Sequence, residues 1–166
     1  EIAAGRGPVD MHTCQRAILA RLRQMTEEEF AAYDGGGEGL YHRVYDAVRR
    51  CATVEELLAA VKTKRYTAAR LRRMVLSAWL GLPKAPETVS YARVLAANET
   101  GRALLRQMRK AGAPVLTKAA DVAALGSGAE ALFRCEAGYT DLYTLAYTDL
   151  AQAVPGSDWR LTPMMK

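Results

Sequence analysis

The sequence predicts an all-α fold: a multi-helix bundle with at most one or two short strands near residues 114–117. Three observations predict it. Apolar residues recur at three- and four-residue spacing, as Ile18, Leu19, Leu22 and Met25 do. Helix-start signals stand at Thr26, Thr53, Thr67 and Asn98. Only Pro114-Val115-Leu116-Thr117 reads as a short extended piece.

The elements follow in order. A first helix is expected between Val9 and Met25, with Arg16, Arg21 and Arg23 among its apolar residues. Thr26-Glu27-Glu28-Glu29 is a capping box opening a short helix that ends near Tyr33. Asp34-Gly35-Gly36-Gly37 breaks the chain and is the hinge candidate. Leu40, Val44, Ala47 and Val48 mark one face of the next helix. Thr53-Val54-Glu55-Glu56 opens another, with Leu57, Leu58 and Val61 inside. Thr67 is the N-cap of a helix running to Leu80, buried along Leu71, Met74, Val75, Ala78 and Leu82, and stopped by Gly81 and Pro83.

A linker is expected at Ala85 to Val89. The helix after Asn98 carries Leu104, Leu105 and Met108 and ends at Gly112. A last helix is expected from Glu130 to Tyr147; Tyr139, Tyr143 and Tyr147 recur on it as a packed face. Residues 1–8 are expected to be a linker, 9–150 the helical domain and 151–166 an irregular tail.

The totals describe an ordinary soluble composition, half hydrophobic and 25% charged. Met74 to Pro83 is too short to span a membrane, and no signal peptide is expected; the three sparse cysteines lead to the expectation of a cytoplasmic location. The chain does not begin with Met, which suggests a piece of something longer. Cys14, Cys51 and Cys135 are few and far apart, as in reduced proteins, and no metal site is expected with His12 and His42.

Charge is the most informative property. Six of the twelve residues from Lys62 to Arg73 are cationic. Residues 57–86 hold seven Lys/Arg and no acid, while the whole chain is only +5, so the rest sums to −2. Such a concentrated field attracts a polyanion, and phosphate backbones are the commonest. No acids are interleaved to form i, i+4 pairs, so the cations repel one another in the folded state. Arg suits bidentate phosphate contact. Tyr66 could stack on a base or ribose, or anchor the core; both readings stand at this point.

No catalytic motif is present. A Walker loop, a dinucleotide fingerprint and a nucleophile elbow are all missing. His42 is expected to be structural.

The run Glu38-Gly39-Leu40-Tyr41-His42-Arg43, then Val61-Lys62-Thr63-Lys64-Arg65-Tyr66-Thr67 with Arg70 and Arg73, resembles the C-terminal region of the bacterial tRNA(Met) cytidine acetate ligases, a nucleotidyltransferase-like family. Tyr91-Ala92-Arg93-Val94-Leu95, Asn98-Glu99-Thr100-Gly101-Arg102, Pro114-Val115-Leu116-Thr117-Lys118 and Thr140-Asp141-Leu142-Tyr143 continue the likeness in order. It departs at Gly138-Tyr139 and in the tail at Leu161-Thr162-Pro163-Met164. His12 is followed by Thr13 and Cys14, not by a His-x-Gly-His signature.

The resemblance implies ATP-dependent activation of acetate as acetyl-adenylate and its transfer to the wobble cytidine of elongator tRNA(Met). It implies that an N-terminal nucleotidyltransferase-like domain outside the chain holds ATP, and that this helical part positions the tRNA. Lys62, Lys64, Arg65, Arg70, Arg72 and Arg73 are then expected on phosphates of the anticodon arm, with Tyr66 and Thr67 as base or backbone contacts. A variant sets part of the motif against ATP phosphates. Two other readings are a helical module docking an acidic partner or its own missing domain, and a helix-turn-helix on DNA.

Overall fold

The computed structural model describes residues 2–34, 39–82 and 90–166. The backbone groups into two compact units: residues 1–85 with Leu145–Gln152, and residues 86–144 with Ala153–Lys166. This grouping cuts across the expected boundaries at 8 and 150.

Unit 1 is helical. Its helices are α1 (Gln15–Gln24), α2 (Glu27–Ala31), α3 (Leu40–Val48), α4 (Val54–Val61) and α5 (Ala68–Leu80). α1 starts later than expected because the Asp10 carboxylate accepts the backbone N–H and hydroxyl of Thr13, holding a turn ahead of the helix. Those hydrogen bonds also keep Asp10 below the usual carboxylate range. Thr26 forms a full capping box with Glu29. Thr53 and Thr67 cap α4 and α5 by accepting from the N–H groups of Glu56 and Arg70.

Ile18, Leu22, Phe30, Leu40, Leu57 and Leu71 are fully buried, one or more from each helix. Each such side chain contributes about 1.5–3 kcal/mol on leaving water. Residues 2–8, expected as a linker, are tied down: Gly5 O accepts from Asp149 N at 2.9 Å and from the Thr148 hydroxyl at 3.0 Å. Gly5 has φ +70°, and a Cβ there would fall 2.4 Å from Asp149 Cβ, so both conformation and contact require glycine. The hinge candidate Gly35–Gly37 and the linker Ala85–Val89 lie outside the described residues.

Unit 2 is helix-rich and holds the short strand expected near 114–117, but it corrects the all-α expectation by adding further short strands that pair in parallel. β1 (Ala92–Arg93) pairs with β3 (Val115–Leu116), and β2 (Ala96–Ala97) pairs with β4 (Met164–Met165). The pairs are two residues long, too short to show a period in sequence. Between them run α6 (Glu99–Lys110), a 3-10 segment at Ala119–Leu125, α7 (Ser127–Thr144) and α8 (Ser157–Arg160).

The core of unit 2 is Tyr91, Leu116, Val122, Ala129, Phe133 and Ala137. Asn98 caps α6 through its side chain at 2.8 Å from Gly101 N, and a Cβ at Gly101 would crowd Ala97 and Asn98 at 3.3 Å. The Asn98-x-x-Gly101 spacing is thus a helix start made compact. α7 ends at Thr144, three residues before Tyr147. The expected tyrosine face is therefore not one helix face: Tyr143 is exposed and Tyr147 belongs to unit 1.

Two polar contacts support this core. Asp158, buried, pairs with Arg93 at 2.9 Å, and the Arg93 guanidinium lies over the Phe133 ring. The Tyr91 hydroxyl donates to the Glu136 carboxylate, and burial, then that contact, push the phenol above its ordinary value. A raised folded pKa gives stability that is complete below about pH 10 and is lost as pH rises further. Tyr91→Phe is therefore expected to lose less stability than the natural chain between pH 9.5 and 11, by about 1.4 kcal/mol per pH unit above 10. Urea unfolding at the two pH values checks it, and equal losses would refute it.

Candidate nucleic-acid interface

The cationic segment is built by the end of one helix and the start of the next. α4 closes at Val61, and Lys62 leaves it in extended conformation. The turn that follows is pinned twice: Thr63 N–H donates to Tyr66 O at 3.2 Å, and Tyr66 N–H donates to the Thr63 hydroxyl at 3.1 Å. This turn leaves Lys62, Lys64 and Arg65 exposed and brings Tyr66 inward. Thr67 then caps α5.

Along α5 the 100° step sends Leu71, Met74, Val75 and Ala78 into the core. Arg73 stands nearly opposite that stripe, and Arg70 and Arg72 flank it on either side. Arg72 and Arg73 are exposed. Among the described residues, Lys62, Lys64, Arg72 and Arg73 form no ion pair.

Tyr66 and Arg70 differ from the rest. Tyr66 is 6% exposed, so its ring is a core anchor, the second of the two sequence readings. The guanidinium carbons of Arg43, Arg65 and Arg70 lie 6.0, 5.9 and 5.4 Å from the ring centre. Such contacts stabilise a cation by about 0.5–1 kcal/mol at exposed sites. They hold three guanidiniums close together despite their repulsion. Arg70 turns back to Asp34, whose side chain is 2% exposed. Its Nη2 donates to Asp34 O at 3.2 Å and to Asp34 Oδ1 at 3.3 Å, while Asp34 Oδ2 accepts from Tyr41 N. Sequence reasoning missed Asp34, because nothing local links positions 36 residues apart.

His42 is exposed, contacts the Glu27 carboxylate and lies 3.9 Å from the Tyr41 ring centre. Among the described residues, no group of three His, Cys, Asp or Glu could hold a metal, and no helix is long and apolar enough to cross a membrane.

This arrangement is an exposed cationic surface set beside the buried Asp34–Arg70 pair. The chain belongs to the HIGH Nucleotidyl Transferase family, whose model matches residues 1–156. It is 29% identical over 168 residues to the tRNA(Met) cytidine acetate ligase of Acetivibrio thermocellus, covering 96% of this chain and 40% of that protein. It is 34% identical over 166 residues to the enzyme of the same name from a Thermoanaerobacter species, covering 97% and 40%.

The fold matches Thermotoga maritima TmcAL with a TM-score of 0.88 at 25% identity, over 99% of this chain and 43% of that one. A second form of that protein, bound with alpha-thio ATP, matches in fold at 0.87 and 24% identity. The chain spans about two fifths of the length of these relatives.

These matches correct one expectation. The nucleotidyl transferase match lies on this chain itself, so the assignment of ATP to a domain outside the chain lacks support, as does a purely helical tRNA-binding domain. The likeness to the ligases holds at the level of the nucleotidyl transferase family, and the expected assignment to their C-terminal region is not supported.

Proposed function

We propose that this chain is part of an ATP-dependent tRNA(Met) cytidine acetate ligase, and that unit 1 holds the tRNA. In that reaction an acetate oxygen attacks the α-phosphorus of ATP, the α–β anhydride bond breaks, pyrophosphate leaves and acetyl-adenylate forms. The cytidine amine attacks the acetyl carbonyl carbon, the mixed-anhydride bond breaks and AMP leaves. The proposed role of the described residues is to bind and orient. Lys62, Lys64, Arg65, Arg72 and Arg73 engage phosphates of the anticodon arm. Arg70 and Tyr66 support them from beneath, and Thr67 fixes the helix start that presents them. A target base in an anticodon loop unstacks at little cost, so a surface that grips the flanking backbone suffices to present it.

The observation that carries the reading is the set of exposed cations that, among the described residues, form no ion pair: Lys62, Lys64, Arg72 and Arg73. Their mutual repulsion costs the folded state and is offset when a polyanion binds. Support for tRNA and ATP as ligands comes from the names of the relatives and from the family.

Fluorescence anisotropy of a labelled tRNA(Met) transcript against potassium chloride concentration tests it. Four or more phosphate contacts give a log–log slope of about −3 or steeper. Absence of binding, or binding that salt leaves unchanged, would overturn the reading and favour docking of an acidic protein.

A further inference from the structure

Unit 2 carries a second cationic face that the motif in unit 1 does not account for. Three depressions surround the end of β3, and Thr117 and Lys118 line all of them. One, of about 420 Å³, is lined by Arg102, Arg106, Arg109 and Lys118 together with Leu105, Pro163 and Met165. The arginines come from successive turns of α6 at spacings of four and three, which places them on one helix face over about 10 Å.

Arg102, Arg106, Arg109 and Lys118 are all exposed. The Arg109 guanidinium is held by the Thr117 hydroxyl at 2.6 Å, a neutral partner that fixes direction without cancelling charge. Two acids are near. Glu99 stands at the start of α6, and Asp121 lines a neighbouring depression of about 610 Å³. Among the described residues neither forms an ion pair with these cations.

The apolar side is unusual as well. No residue of α6 is fully buried, Leu105 and Pro163 are half-buried, and Met165 is 49% exposed. A row of guanidiniums beside an open apolar wall matches a polymer with charge along one edge and flat apolar rings along the other.

We propose that Arg102, Arg106, Arg109 and Lys118 form a second phosphate-binding surface for single-stranded RNA, with a base or ribose seated against Leu105, Pro163 and Met165. Three of the four cations are arginine, which suits bidentate contact with phosphate. The identity of the RNA rests on the function proposed above; the phosphate chemistry does not.

The test uses the chain with Arg102→Gln, Arg106→Gln and Lys118→Gln together. Binding of the tRNA(Met) transcript is expected to weaken on the order of 10- to 100-fold at physiological salt, with a slope shallower by about 2. Circular dichroism establishes that the variant is folded. Should the triple variant not fold, the single exposed Arg106→Gln is expected to reduce the slope by about 0.7. An unchanged slope in either variant overturns the proposal.

A parallel set at Lys62, Lys64, Arg72 and Arg73 separates the two surfaces. Loss from that set alone overturns this inference and leaves the proposed function standing. Loss from the α6 set alone does the reverse. If the α6 set weakens binding of ATP but not of tRNA, the RNA assignment is overturned in favour of a free nucleotide.

Discussion

Arg70→Met is expected to lower the stability of unit 1 by about 3–5 kcal/mol, because it leaves the Asp34 carboxylate buried and uncompensated. That carboxylate is 2% exposed and receives both the Arg70 guanidinium and the Tyr41 N–H. The arginine's own side chain is 28% exposed, so the pair straddles the surface. Its individual hydrogen bonds contribute only about 1.5–3 kcal/mol each. The larger cost is the charge left behind.

The second substitution, Asp34→Asn, removes that charge. Arg70→Met with Asp34→Asn is expected to recover most of the loss, and the double-mutant cycle isolates the coupling. Urea unfolding followed by the fluorescence of buried Trp79 reports on this unit. A loss under about 1 kcal/mol for Arg70→Met would show that water replaces the guanidinium without penalty.

Replacing Lys62, Lys64, Arg72 and Arg73 together by Gln is expected to have the opposite profile. These side chains are exposed and form no ion pair among the described residues, so stability stays the same or rises slightly as repulsion is relieved. Affinity for the tRNA(Met) transcript is expected to fall on the order of 100-fold, and the salt slope to lose about 3. Separating these variants matters: Arg70 substitutions reduce RNA binding by unfolding the platform, whereas the four-residue set removes charge from an intact one. Retention of the natural slope would place the RNA elsewhere.

Local signals read well from sequence, and long-range ones did not. Thr26, Thr53, Thr67 and Asn98 each cap the helix they were expected to begin, since a cap involves only neighbours within three residues. Of the expected stripe, Leu71, Met74, Val75 and Ala78 are buried as their spacing predicts, and Leu82, past the helix end at Leu80, is half-buried. The parallel strand pairs were not legible, because Ala92 meets Val115 and Ala96 meets Met164 only through the tertiary fold.

The inward turn of Tyr66 is illegible in the sequence for a related reason. The hydroxyl of Thr63 and the guanidiniums of Arg43, Arg65 and Arg70 fix its place together. At the interface, the cations were visible as a run of letters. Which one serves a buried carboxylate, and which four pair with none among the described residues, depends on Asp34 arriving from another part of the chain.

Gly5 meets Asp149 within a unit whose last eight residues come after almost all of unit 2 in the chain. During synthesis the first 85 residues emerge early, yet their closing segment is delivered only when residue 152 has left the ribosome. Unit 1 thus waits, incomplete, through the translation of its neighbour. A nascent chain stalled short of Leu145 should expose residues 2–8 to proteases that the finished protein resists.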